Sequence, residues 1–143
     1  MAISASLFAV TIDCPDPVRL ARFYQGLLGG QLRSASADFV VLATGHGTRL
    51  DFQRVANHRP SPWPDPAAPR RLHLDFSVDD LDRAERHLLG LGAVLASYQP
   101  GGQRFRVLLD PAGHPFCIAT AAAAGVPDQE LAADPPMTSS EPR

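Results

Sequence analysis

The chain contains no run of 18 apolar residues, the length a membrane-spanning helix needs. Cysteine is scarce. Cys14 and Cys117 are the only two, which excludes a disulfide framework and makes a reducing, cytoplasmic setting the simplest expectation. An excess of positive charge is missing too. Thirteen basic and fifteen acidic residues give a net charge of −2, which offers no electrostatic reason to expect nucleic acid. The Arg70-Arg71 pair is small enough to be a solvated loop end. Residues Met1 to Ala9 carry no basic region and the chain meets Asp13 before an apolar run develops, which speaks against a signal peptide. No glycine-rich loop opens a helix either. Gly101-Gly102 lies between strands, where it makes a hairpin turn rather than a phosphate cradle.

What is present is a repeat. Ala9-Val-Thr-Ile-Asp-Cys-Pro-Asp16-Pro17 and His73-Leu-Asp-Phe-Ser-Val-Asp-Asp80-Leu81 are both alternating strands that end in an acidic residue able to cap a helix. Residue 73 follows residue 9, and Asp80 follows Asp16, at the same offset of 64. One copy opens with histidine and the other with alanine, so a site built symmetrically from both copies has lost a polar group on one side.

After the first strand, Asp16-Pro17 supplies an N-cap and a proline at the first helical position. Leu20, Phe23, Tyr24, Leu27 and Leu28 recur at helical spacing, and Gly29-Gly30 stops the helix. Strands are predicted over Gln31–Ala35, Phe39–Thr44 and Arg49–Val55. The second copy predicts a strand over His73–Val78, a helix capped by Asp80 and ended by Gly92, and strands over Val94–Tyr98, Phe105–Leu109 and Phe116–Thr120. Pro100-Gly-Gly and Asp110-Pro-Ala-Gly113 separate the last three. Between the copies, Ala56 to Arg71 places five prolines in sixteen residues around Trp63, the one tryptophan. Proline this dense forbids a central strand and reads as a stiff connector able to act as a lid or partner contact. Residues 121–143, rich in alanine, proline and acid, read as a tail.

Alternation sorts each strand into two faces. His73, Asp75 and Ser77 oppose Leu74, Phe76 and Val78; Asp51 and Gln53 oppose Leu50 and Phe52; Cys117 and Ala119 oppose Phe116 and Ile118. In the strand at 105–109, Phe105, Val107 and Leu109 are expected to face the helices, with Arg104 and Arg106 on the polar side. Two readings of that polar face stay open: a pocket, given its small residues Ala9, Thr11, Ser77 and Ala119, or a plain solvated sheet.

A duplicated strand–helix–three-strand unit resembles the vicinal oxygen chelate superfamily, the glyoxalase, bleomycin-resistance and extradiol dioxygenase group. Asp16-Pro17 with Phe23-Tyr24 and Leu28-Gly29 carry the resemblance, with Val78-Asp79-Asp80-Leu81, Leu91-Gly92 and Asp110-Pro-Ala-Gly-His-Pro-Phe116. Trp63-Pro-Asp-Pro before His73-Leu-Asp-Phe looks like a glyoxalase-like subgroup. The resemblance implies an α+β fold: one domain over 7–120, made of tandem βαβββ units at 7–55 and 72–120 joined by connector 56–71, forming a curled, cleft-bearing mixed sheet with helices outside. It also implies a homodimer. The superfamily's metal-ligand positions carry over to Ala9, Asp51 (or its same-face neighbour Gln53), His73 and Cys117.

Alanine cannot ligate, and cysteine is a poor match for oxygen-rich magnesium or manganese sites. One reading is therefore a degenerate site without a cofactor, with Asp51 paired to Arg104 or Arg106 and Cys117 a small buried hydrophobe. The alternative is zinc or iron held by His73, Asp51 and Cys117. His73 is the candidate acid or base. Asp51, Gln53, Trp63, Asp75, Arg104 and Arg106 are the candidate ligand-binding residues. The function expected is a glyoxalase-like small-molecule-binding protein, sequestering an aromatic or antibiotic-like ligand as bleomycin-resistance relatives do. The rival is a lyase, isomerase or dioxygenase, metal-dependent or working through His73. A third possibility is a structural partner domain that docks through the connector and tail.

Overall fold

The structure, a computed structural model, describes residues 3–68 and 71–124; the predicted tail beyond Ala124 lies outside them. The first unit runs β1 (Ala9–Cys14), α1 (Pro17–Leu28), β2 (Gln31–Ser36), β3 (Phe39–Ala43) and β4 (Arg49–Arg54). The second runs β5 (Leu74–Val78), α2 (Leu81–Gly90), β6 (Val94–Leu95), β7 (Phe105–Leu109) and β8 (Pro115–Thr120), and one turn of helix, α3 (Ala121–Ala124), follows. Each unit forms a four-stranded mixed sheet, ordered β1-β4-β3-β2 and β5-β8-β7-β6. The first strand of each pairs in parallel with the last, and the remaining pairs are antiparallel. The architecture is thus α+β, with two sheets rather than a closed barrel.

Both helices begin where the sequence predicts. Asp16 and Asp80 sit in extended backbone and accept hydrogen bonds from Arg19 N (3.1 Å) and Arg83 N (2.8 Å), satisfying amides that a helix start leaves unpaired. Gly29 ends α1 at φ 70°. The two helices meet closely at Gly26, where an added Cβ would come within 2.7 Å of Leu91.

The apolar faces of both sheets and the inner stripes of both helices merge into one core, with Leu20, Phe23, Tyr24 and Phe52 from the first unit and Leu88, Leu108, Phe116 and Ile118 from the second. Tyr24 is the hinge of that merger. Its ring centroid lies 5.6 Å from Phe52, 6.0 Å from Phe76 and 6.3 Å from Phe116, so one side chain touches aromatics of both units. Its hydroxyl donates a buried 2.7 Å hydrogen bond to Asp110 Oδ2. Histidines reinforce the seam: ring Nε2–H groups donate from His87 to Gly26 O (3.0 Å) and from His114 to Asp13 O (2.6 Å), while His58 of the connector donates to Ala112 O (2.7 Å). A carbonyl can only accept, so each Nε2 carries the proton.

Burial sets a pH dependence here. Cys14 is fully buried; burial, then the negative charge of Asp110, pushes its thiol up to about 11. Burial and Asp110 likewise raise the Tyr24 phenol well above its usual 10.0. Both groups are neutral acids whose folded pKa exceeds the unfolded one. Their contribution is complete below about pH 9 and is lost as pH rises, first through Cys14 between 9 and 11, then through Tyr24 above 10. Chemical denaturation at pH 8, 9.5 and 10.5 should show this decline, and Cys14→Ala should flatten its first part. Equal slopes in wild type and variant would remove Cys14 as the cause.

Two expectations need correction. The strand predicted over Val94–Tyr98 forms only at Val94–Leu95. Gln99 takes over its work: the side-chain amide donates to Ala96 O (2.8 Å) and Val107 O (2.7 Å) and accepts from Val107 N (2.9 Å), supplying the ladder bonds of a missing strand residue. The faces of β7 are also opposite to those expected. Val107 pairs with Cys117, so Phe105 and Val107 lie on the Cys117 face, while Arg106 and Leu108 face α2. The run Val107-Leu108-Leu109 is apolar on both sides, so alternation alone could not choose between them. Acidic residues on α2 decide it, because Arg106 pairs there with Asp82 (3.2 Å) and Glu85 (3.3 Å).

Candidate functional site

The polar face of the second sheet carries the site. On β5 and the residue before it, alternation puts His73, Asp75 and Ser77 on one side. The parallel register then sets Asp75 beside Cys117 and Ser77 beside Ala119. The consequence is a cluster: ligand atoms of His73, Asp75 and Cys117 all lie within 4.8 Å of one another, and His73 Nε2 is 3.4 Å from Asp75 Oδ2. Cys117 forms the floor at 4% exposure, whereas the His73 and Asp75 side chains are 30% and 68% exposed. A cavity of about 600 Å³ opens above them, lined also by Phe105, Ser77, Ala119 and Ala123. Trp63 of the connector packs, with Phe105, against Ala96, Val107 and Cys117, and its ring lies 5.8 Å from that of Tyr98. The proline-rich segment therefore lays its tryptophan on the second sheet's polar face.

On the equivalent face of the first unit, the carboxylate at the matching position is covered. Its register sets Ala9 beside Arg49, Thr11 beside Asp51 and Asp13 beside Gln53. Ala9 leaves room beside it, and Arg49 reaches over Asp51 to donate from Nε (2.7 Å) and from the terminal NH2 (2.8 Å), one bond to each carboxylate oxygen. Bidentate pairing of this kind fixes geometry as well as charge. The Asp51 side chain is 3% exposed, and its hydrogen bond raises the Arg49 pKa further, against a smaller opposing effect of burial. Arg49 also lies over the Phe8 ring, 5.2 Å from its centroid.

The structure thus joins some of the predicted residues and separates others. His73, Asp75, Cys117 and Trp63 converge on the second sheet. Asp51 lies apart on the first sheet and pairs with Arg49, not with Arg104 or Arg106. Gln53 is exposed on β4, where its backbone carbonyl accepts the Cys14 thiol (3.7 Å). Arg106 is turned away towards α2, and Arg104 is exposed in the turn before β7. Phe105 is a cavity wall that alternation assigned to the core, and Ala123 adds an unforeseen contact from the segment read as a tail. Phe105 joins this face because Val107, two residues on, pairs with Cys117, a register the sequence does not reveal.

The superfamily's metal arrangement does not fit this donor set. Ala9 has no donor atom, and both Asp51 oxygens are held by Arg49, so the first unit's half of the site is gone. The proposed trio His73, Asp51 and Cys117 is not assembled. Among the described residues, the trio that does meet is His73, Asp75 and Cys117.

Solved structures share this fold. A glyoxalase/bleomycin resistance protein/dioxygenase family enzyme from Burkholderia phytofirmans PsJN is 23% identical; the match covers 81% of this chain and 98% of that one, at a TM-score of 0.60. A mutant of the fosfomycin resistance protein FosX from Listeria monocytogenes, complexed with Mn(II) and 1S,2S-dihydroxypropylphosphonic acid, is 16% identical over 85% and 95%, at 0.60. FosX from Mesorhizobium loti is 19% identical over 83% and 94%, at 0.58. None of the curated proteins matches the sequence. The glyoxalase-like domain profile matches residues 9–119, nearly the whole of both units, and the chain accordingly belongs to the glyoxalase-like domain family of the vicinal oxygen chelate superfamily.

Proposed function

We propose that this protein binds a small aromatic or antibiotic-like molecule in the cleft of its second unit and holds it without turnover. The observation that carries this reading is the asymmetry of the two sheets: the Arg49–Asp51 pair occupies the first unit's half-site, while a cavity of about 600 Å³ remains over the second. That volume lies in the range of small-molecule sites. Its wall is apolar (Phe105, Ala119, Ala123, with Trp63 nearby) and its polar groups are few (His73, Asp75, Ser77). The Listeria FosX structure holds a phosphonic acid. Here Arg106 is committed to α2 and Arg49 to Asp51, which favours an uncharged aromatic ligand over an anionic one. A homodimer and a cytoplasmic setting complete the proposal; sedimentation equilibrium tests the first and fractionation of the native cells the second.

The test is the fate of the ligand. Aromatic compounds that bind at one per chain should be recovered by mass spectrometry unchanged, and a converted product overturns the reading. The rival, acid/base catalysis by a lyase or isomerase, draws on the His73–Asp75 contact at 3.4 Å. His73→Ala separates the two. In chelator-stripped protein, loss of one hydrogen bond should weaken binding by only about two- to tenfold, whereas loss of a general acid or base would cost about 10²–10⁴ in rate.

A further inference from the structure

We infer that His73, Asp75 and Cys117 form a zinc site contained wholly in the second unit, with its remaining coordination position turned to the cavity. This differs from the superfamily's arrangement, which draws on both units, and Asp75 has no role there.

The geometry points to it in three ways. First, the three donors share one face of two paired strands. His73 and Asp75 are two residues apart, and Asp75 sits in register with Cys117, so the backbone itself brings them together. Second, the spacing suits a small tetrahedral ion. Donors about 2.0–2.3 Å from zinc lie roughly 3.3–3.6 Å from each other. His73 Nε2 and Asp75 Oδ2 stand 3.4 Å apart, and all three ligand atoms fall within 4.8 Å, within reach of small side-chain rotations. Third, the chemistry is selective. One nitrogen, one carboxylate oxygen and one sulfur suit zinc, while magnesium and manganese prefer sites made of oxygen. Three protein donors and one open position is the count of a catalytic or ligand-anchoring zinc rather than a closed structural one. Facing a cavity with an aromatic wall, that position would take a coordinating oxygen of the bound molecule. The site shares its cleft with the ligand-binding reading but is tested without any organic ligand, so either can fail alone.

Cobalt(II) is the probe, because a thiolate–cobalt bond absorbs in the near ultraviolet where the chain alone does not show that charge-transfer band. Full-length protein, stripped with a chelator, should gain this band on titration to one equivalent and lose it when zinc is added. Cys117→Ser should abolish the band. Asp75→Asn should weaken binding by more than the roughly 10–100-fold expected when only an outer-shell partner is lost. Cys14→Ser and Asp51→Asn should leave the band and the stoichiometry intact, with Trp63 emission confirming the fold of each variant. No charge-transfer band in the wild-type protein overturns the proposal, as does a band that survives in Cys117→Ser. A band lost in Asp51→Asn with the fold retained also overturns it, since the site would then span both units.

Discussion

Asp110→Ala should lower the free energy of unfolding by about 3–5 kcal/mol and the melting temperature by roughly 10 °C or more. Asp110 is 3% exposed, yet each carboxylate oxygen is occupied. Oδ2 accepts the Tyr24 hydroxyl at 2.7 Å. Oδ1 accepts Ala112 N at 2.9 Å and His114 N at 3.0 Å. Alanine would strip three donors of their partner at once, and each buried donor left unsatisfied costs about 1–3 kcal/mol. The damage would fall where the units meet, because Tyr24 packs on aromatics from both and His114 bonds across to Asp13 O. Tyr24→Phe removes one donor and leaves the turn intact, so about 1–2 kcal/mol is expected. Thermal and urea denaturation would measure both. A loss in Asp110→Ala no larger than that in Tyr24→Phe would show that the turn amides find water instead.

Gly113→Ala should displace the connector and with it Trp63. Gly113 has φ +85°, a conformation that side chains rarely tolerate. An added Cβ would also overlap Pro60 Cβ and come within 3.0 Å of Pro60 Cα. Proline cannot yield by rotating a side chain, so the backbone of the connector must move. Ser61 N donates to Gly113 O at 3.3 Å and His58 to Ala112 O at 2.7 Å, and these bonds tie the connector to the turn before β8. Trp63 lies three residues beyond Pro60, against Val107 and Cys117. As the chain's one tryptophan it reports its own position. Its emission should shift to the red in Gly113→Ala, and Cys117 should react faster with a small alkylating reagent while buried Cys14 stays protected. Ligand affinity should fall with the shift. Unchanged emission would mean that the connector is held from its other end and that Gly113 serves only the turn.

Much of the scaffold was readable before any coordinates. The offset of 64 announced two copies, and Asp16 and Asp80 announced two helix starts, because a side chain that caps a helix needs only the three or four residues after it. Turns at Gly29-Gly30 and Asp110-Pro-Ala-Gly113 are local in the same sense. Three of the four histidines outside the cleft, His58, His87 and His114, bond to backbone carbonyls. Their carbonyl partners were not legible, since His114 and Asp13 are far apart in the chain. Asp110 shows both sides: its place in a turn could be read, but its bond to Tyr24, 86 residues away, could not.

For the site, strand alternation grouped His73 with Asp75 and Cys117 with Ala119, and register then placed the two groups side by side. Alternation gives two faces without saying which is inward, and in β7 both were apolar enough to serve. The choice fell to Asp82 and Glu85, which reach Arg106 only once α2 packs on the sheet. Charge pairing is harder to read in one dimension. Arg104 and Arg106 were the partners expected for Asp51, but Arg49, two residues away on the same strand face and beside the small Ala9, takes both carboxylate oxygens.

The sequence by itself determined that the chain is a duplicated α+β unit, that one copy lacks the other's histidine, and that a proline-rich, tryptophan-bearing segment lies between the copies. These are matters of spacing, capping and residue type, which act within a few residues or repeat along the chain. Tertiary structure decided that Arg49 closes the first unit's half-site and that Asp75, not Asp51, stands with His73 and Cys117. It also laid Trp63 on the second sheet. Each of those outcomes is a competition among candidate partners near and far in sequence, settled by which of them folding brings within hydrogen-bonding or packing distance.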